Sequence, residues 1–165
     1  MDKYKLRDLG IIITGYTPST KDGNNYNSND YMFVGPSDVK NNRLIKKTEK
    51  YISEYAFVNS KKRILHNGDI IVDCIGSDMG NVAIITKECI SNQQINAITN
   101  IDNRIVNNYY LYYLLSTKKD FLHSIGMNGS TMPIISKSLF ESIEVSIHSK
   151  EHQQHIVDII ENGGI

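Results

Sequence analysis

Cysteine is scarce in this sequence, surplus charge is absent, and no apolar run is long. Only Cys74 and Cys89 occur in 165 residues, too few for a disulfide-stapled scaffold. Both lie on or beside apolar stretches, which reads as buried free thiols in a reducing compartment. No Cys/His cluster has zinc spacing. His152 and His155, three apart on a predicted helix, lack a third ligand and read as solvated. Eighteen basic residues balance eighteen acidic ones. That balance argues against tight, sequence-blind binding of nucleic acid by the chain alone, though a local basic patch remains open to it. Apolar runs stay short of the roughly 18–20 residues of a membrane span. The N-terminal Met1-Asp-Lys-Tyr-Lys5 has no signal-peptide core, so a cytoplasmic location and no membrane partner are expected.

What is present suits one soluble domain: 40% hydrophobic and 22% charged residues, at a length able to bury a core. Leu6–Leu9 reads as a helical turn. Ile11–Thr14 reads as a strand stopped by Gly15 and Pro18. Residues 19–30 form a long polar loop, then Tyr31–Val34 a second strand. Pro36-Ser37-Asp38 starts a turn or short helix, and 40–50 is basic and polar. Glu54–Phe57 is ambiguous. Asn67-Gly68-Asp69 marks a turn before an Ile70–Ile75 strand, with Ile70, Val72 and Cys74 on one face and Asp69 and Asp73 on the other. Val82–Thr86 and Gln94–Thr99 are further strands. Asn107-Asn108 caps a helix carrying Leu111, Leu114 and Leu115. Gly126 and Gly129 bracket a loop, and Ser136–Phe140 reads as helical. Ile143, Val145 and Ile147 alternate as a last strand before a helix from Lys150. Strands come first and helices gather later, which predicts an α+β fold with a mixed, largely antiparallel sheet.

Catalytic patterns are missing. Gly76-Ser-Asp-Met-Gly80 lacks the lysine and following helix of a phosphate-binding loop and reads as a turn between strands. Asp69 and Asp73 invite a metal-dependent nuclease, but no Glu-x-Lys follows on the next strand. The carboxylates are expected to face solvent or pair with lysines. Ser130 has no histidine and carboxylate arranged with it, and His123 reads as a surface helix residue. Neither an Asn-Pro-Pro-aromatic motif nor a glycine-rich cofactor loop occurs. Seventeen asparagines are present, so any one Asn-rich loop partly reflects composition.

The order of motifs, however, is distinctive. Lys5-Leu-Arg-Asp-Leu9 and Thr14-Gly-Tyr-Thr-Pro-Ser-Thr20 are followed by Phe33-Val-Gly-Pro-Ser-Asp-Val39. Then come Ile64-Leu-His-Asn-Gly-Asp-Ile-Ile-Val-Asp-Cys-Ile-Gly-Ser77, Asn81-Val-Ala-Ile84 and Ser91-Asn-Gln-Gln-Ile-Asn-Ala-Ile98. Tyr109–Leu115, Gly129-Ser-Thr-Met-Pro-Ile-Ile-Ser-Lys-Ser138, Ile143-Glu-Val-Ser-Ile147 and Glu151-His-Gln-Gln-His-Ile156 complete the series. In this order the motifs resemble a target-recognition domain of the specificity subunit of type I restriction-modification enzymes.

The resemblance implies a non-catalytic subunit that reads one half of a bipartite duplex DNA target. Partner modification subunits would methylate adenine with S-adenosylmethionine, and a restriction subunit would use ATP and Mg; this chain would need no cofactor. Residues 1–148 would be the recognition domain and 149–165 the start of the family's conserved coiled-coil helix. The chain departs from the usual pattern in having one domain, a short last helix, and Ile147-His-Ser149 where the family often has proline. DNA contacts are expected from Thr17, Ser19, Thr20, Lys21, Asn24, Asn25, Tyr26 and Asn27. They are also expected from Ser37, Asp38, Lys40, Asn41 and Arg43, and from Ser77, Asn92, Gln93, Gln94, Ser130 and Thr131. The groups Lys46/Lys47/Lys50 and Lys61/Lys62/Arg63 read either as phosphate clamps or as solvated faces. The tyrosines Tyr109, Tyr110, Tyr112 and Tyr113 read either as base-stacking groups or, the favoured reading, as packing their helix on the sheet with phenols at its rim. The amides of Asn92, Gln93 and Gln94 are expected to bond the backbone of the Gly129-Ser-Thr-Met loop. Gln153, Ile156, Ile159 and Ile160 are expected to bind a partner subunit or a twin chain. A docking module for the methyltransferase is the alternative reading.

Overall fold

A computed structural model describes residues 1–127, 129 and 132–163. Strand β1 (Asp2–Lys5) leads into the helical turn α1 (Leu6–Leu9), and Gly10 passes the chain to β2 (Ile11–Thr14). A 3₁₀ turn at Gly23–Asn25 interrupts the polar loop before β3 (Tyr31–Val34). Then follow α2 (Pro36–Asn41), β4 (Leu44–Ile45), β5 (Lys50–Ile52), α3 (Glu54–Val58) and a second 3₁₀ turn at Lys61–Arg63. The centre is built from β6 (Ile70–Asp73), β7 (Val82–Ile85), β8 (Ile90–Ser91) and β9 (Ile95–Thr99). The C-terminal half adds α4 (Asn108–Ser116), α5 (Lys119–Met127), α6 (Lys137–Ser142), β10 (Glu144–Ile147) and α7 (Lys150–Glu161).

Three sheets form among the described residues. The largest has the order β2-β9-β6-β7-β4, antiparallel except for the β4–β7 edge. A three-stranded sheet has the order β5-β3-β8, with β3 and β8 parallel. A ribbon pairs β1 with β10. The α+β class with a mixed, largely antiparallel sheet is what the structure shows.

Both faces of the five-stranded sheet are covered. Ile12, Ile70, Val72, Ile84 and Ile98 pack with Leu9 of α1, Leu111 and Leu115 of α4 and Phe140 of α6. On the opposite face Ile71, Ala83, Ile85, Ile95 and Ala97 pack with Met32, Val34, Val39 and Ile45. Two-sided burial is why β6 and β7 read as continuous apolar runs, and why all their residues are buried.

That burial corrects the expectation for Asp69 and Asp73, which are 6% and 3% exposed rather than solvent-facing. Each carboxylate is spent on a turn. Asp69 accepts the amide of His66 at 2.7 Å and closes the turn before β6. Asp73 accepts the amides of Gly80 and Asn81 and the side chain of Asn81, closing the loop between β6 and β7. The cysteines are free and buried as expected, and burial pushes both thiols up to about 12. Glu54–Phe57 resolves as a helix because Ser53 caps it, accepting the amide of Ala56.

Candidate nucleic-acid interface

Antiparallel pairing decides which loops meet. The C-terminal ends of β2 and β6 lie at the same end of the large sheet as the N-terminal ends of β9, β7 and β4. Four of the expected contact segments therefore converge at one end: 15–17, 35–41, 76–81 and 92–94.

The floor of this end is locked by backbone contacts. Gly15 donates to Ile95 O at 3.1 Å and Tyr16 to Ser91 O at 3.0 Å. A Cβ on Gly15 would stand 2.1 Å from Asn92 O, so only glycine allows this approach. Asn92 donates its amide to Val34 O, which draws the β3 exit to the same point. Thr17 Oγ1 donates to Gln93 Oε1 at 2.5 Å, and both residues are exposed. Asn92 Oδ1 accepts the amide of Gln94, shaping its own turn. Thr17, Gly35, Ser37, Asp38, Lys50 and Asn92 line a cleft of about 200 Å³.

Neighbouring loops are tied to this floor by charge. Asp78 bridges Lys40 of α2 at 2.8 Å and Lys119 of α5 at 2.9 Å. The two ammonium groups hold its carboxyl at about 2, well below the usual range. Lys119 also donates to Asn81 Oδ1 at 2.8 Å, so the loop carrying Ser77 is braced from both sides. Arg63 donates to the carbonyls of Thr14 and Gly15 and lies 5.2 Å over the Tyr16 ring. It braces the floor, while Lys61 and Lys62 stay exposed beside it.

Not every expected contact residue reaches this surface. Asp38 is 7% exposed, and its carboxylate accepts the amides of Gly35 and Glu49, so it caps α2. Asn25 is 8% exposed and donates to Ser19 O; Tyr26 donates to Pro18 O. Both hold the polar loop together. That loop, with exposed Ser19, Thr20, Lys21, Asn24 and Asn27, is fastened to Ser53 and Tyr55 around the start of α3. Its far end enters β3 at the opposite end from Gly35, about 13 Å away at the usual strand rise, whereas Ser19 lies two residues from Thr17. Asn41 is exposed and bonds Ser37 O within its own helix. Ser130 and Thr131 lie outside the described residues.

In the Ser91–Ile98 stretch, side-chain bonds join Asn92 to Gln94 and Gln93 to Thr17, while Ser130 and Thr131 of the expected partner loop lie outside the described residues. An amide that does fasten this segment is Asn96, inside the strand predicted at Gln94–Thr99. It is 2% exposed, accepts Thr14 Oγ1 at 2.5 Å and donates to Ile135 O at 3.0 Å. Ile135 and Pro133 are then paired to Cys74 and Gly76, which seats the segment beside the Ser77 loop. The signal was an amide inside a strand otherwise buried on both faces, where a buried polar group needs a partner.

The expected partner surface on α7 is also revised. Gln153 is fully buried and cannot meet a partner. It accepts the amide of Asn107 and donates to the carbonyls of Ile105 and His148. Ile156 packs against the core, whereas Ile159 and Ile160 are 44% and 41% exposed. No group of three metal-ligating side chains occurs among the described residues, and no helix there is long and apolar enough to cross a membrane.

Residues 1–163 match the family described as type I restriction modification DNA specificity domain. The chain belongs to that family. The specificity domain is 33% identical over 163 residues to the Type I restriction enzyme MjaIX specificity subunit of Methanocaldococcus jannaschii, covering 96% of this chain and 37% of that protein. It is 30% identical over 160 residues to the HindI specificity subunit of Haemophilus influenzae, covering 94% and 34%. The specificity domain thus spans little more than a third of these relatives. Its fold matches the HsdS subunit from Thermoanaerobacter tengcongensis with a TM-score of 0.70 at 16% identity, covering 98% of this chain and 36% of that one. It also matches the S subunit from M. genitalium with a TM-score of 0.68 at 16% identity, covering 97% and 38%.

Proposed function

We propose that this specificity domain reads one half of a bipartite duplex DNA target and directs partner modification and restriction subunits to it, without catalysis of its own. The observation that carries this reading is the end of the large sheet, where exposed Thr17, Ser37, Ser77 and Gln93 stand with Lys40 on a backbone locked from beneath. Hydroxyls and amides of this kind hydrogen-bond phosphates and base edges, and a fixed backbone holds them in register. The buried Asp38, Asp73 and Asn96 support that backbone. S-adenosylmethionine, ATP and Mg belong, in this reading, to the partner subunits.

Co-purification with a modification subunit, followed by mapping of adenine methylation in genomic DNA, tests the proposal. The expected result is methylation at one defined motif that disappears without this chain. Methylation independent of the chain overturns it. A second reading, docking or pairing with a twin chain through α7, is favoured by the exposed Ile159 and Ile160. Two copies acting together would give a symmetric motif. Complex formation with no motif would leave docking as the function.

A further inference from the structure

Helix α7 is held to the body of the domain at two places of different character. Near its start, buried Gln153 makes its three bonds and Gln154 accepts from Asn107 Nδ2. At its last turn, Glu161 accepts a charge-assisted bond from Arg43 and the Tyr113 hydroxyl at 2.8 Å. The two places are eight residues, or about 12 Å, apart along the helix. Between them Val157 is buried, and beyond it Ile159 and Ile160 face outward.

Arg43 is placed for more than a surface ion pair. Its carbonyl accepts the amide of Ile84, so its backbone is fixed to the edge of β7. Its guanidinium lies 5.6, 5.7 and 5.1 Å from the ring centres of Tyr109, Tyr112 and Tyr113 on α4. A lone exposed pair holds little. Here three rings take up part of the guanidinium's surroundings, and the planar cation suits them in a way an ammonium does not. Glu161 is held below the usual carboxylate range by Arg43 and Tyr113, and burial and Glu161 push the Tyr113 phenol up to about 12.

We propose that Arg43 is a positioning residue: caged by Tyr109, Tyr112 and Tyr113, it clasps Glu161 and fixes the direction in which α7 leaves the domain. Gln153 is the pivot and Arg43 the clasp. Resting on the reading of the loops at this end of the sheet as a DNA surface, the clasp would fix the angle between that surface and whatever α7 engages. The same Arg43 stands at the β4 end of the sheet, next to Asn41 and Asn42, so it ties helix direction to the proposed contact surface itself.

The test uses the whole chain without DNA. Nitroxide labels go on Lys87→Cys and Asp158→Cys; the native thiols are buried and stay unlabelled. Pulsed electron resonance is expected to give one narrow distance distribution in the parent. Arg43→Ala should at least double its width, and Arg43→Lys should not restore it. Amides of residues 158–162 should exchange about tenfold faster in Arg43→Ala, with those of β6 and β9 unchanged. Should Arg43→Ala lose protection throughout the sheet, Glu161→Gln decides, since its exposed side chain keeps its shape and loses only charge. An unchanged width in Glu161→Gln, or in a folded Arg43→Ala, overturns the proposal. In the assembled complex the Arg43→Ala variant is expected to methylate the same motif at least tenfold less. A changed motif would make Arg43 a DNA-reading residue and overturn the positioning role. Absence of any motif with the parent chain would count against the DNA reading and leave the label distances to judge the clasp.

Discussion

Gln153 shows how much one amide can carry. Its neighbours are Asn107 N–H and the carbonyls of Ile105 and His148, all brought together by the turn into α4 and the start of α7. Truncation leaves those groups buried without partners. Gln153→Ala is expected to cost about 2–4 kcal/mol in urea denaturation, from the usual penalty of unpaired buried groups. A loss under about 0.5 kcal/mol, as at an exposed site, would mean water replaces the amide. Asp69 carries the opposite sign. Burial raises its carboxyl to about 6, against the lowering effect of the His66 amide and charge. Because the folded state holds this proton more tightly than the unfolded chain, stability falls as pH rises from about 4 to about 6. The two pKa values limit the loss to about 3 kcal/mol, and screening at the turn reduces it. Asp69→Asn keeps an acceptor for His66 N–H and removes the charge. Its stability is expected to lack this fall, and at pH 7.5 to equal or exceed the parent's by thermal denaturation.

At the scale of elements, the decisive contact is the exit of β2 against the turn before β9. Gly15→Ala pushes a methyl toward two carbonyl oxygens, Asn92 O at 2.1 Å and Ser91 O at 2.3 Å. Backbone has to move, and the Thr17–Gln93 bond goes with it. The expected cost is about 3 kcal/mol or more, with faster exchange of the Tyr16 amide and weaker methylation in the complex. Parent-like exchange at Tyr16 would show that the turn yields freely. Strands β2, β3, β6, β7 and β9 were legible as short apolar runs, with glycine following β2 and β3 and asparagine following β9. Helix α4 was legible from Asn107, whose side chain accepts the amides of Tyr109 and Tyr110. The two-residue strands β4 and β8 are too short for any period to appear. Strand β1 has two exposed residues and no apolar alternation; it exists because β10 pairs with it. Helix α5 was passed over, although His123 was placed on a helix, because its apolar residues are few and its start is braced by Lys119 reaching Asp78 and Asn81. Exposed members of the site were legible by residue type. Asp38 and Gln153 were misread, and Asn96 went unassigned, because their partners, the farthest 82 residues away, are set by the fold.

At the scale of the whole molecule, zero net charge limits what the domain does alone. Its basic residues near the proposed surface are few, and Lys40 is already paired with Asp78. Each phosphate neutralised releases counterions, so the slope of log affinity against log salt counts the contacts, at about 0.9 per phosphate on duplex DNA. With roughly three lysines free to engage, the isolated chain is expected to bind duplex weakly, with a slope of about −3 by fluorescence anisotropy between about 50 and 200 mM salt. Lys50→Ala, which removes an exposed cation at the cleft, should bring the slope nearer zero by about one without changing sequence preference. Ser37→Ala and Gln93→Ala should leave the slope alone and relax the methylated motif, since polar side chains read bases without releasing counterions. The division matters because the partner subunits, in the proposed assembly, would supply the missing phosphate contacts. The complex should then show a slope at least twice as steep as the chain alone. Equal slopes would place the whole electrostatic footprint on this domain, and the neutral surface would have to rearrange on binding to provide it.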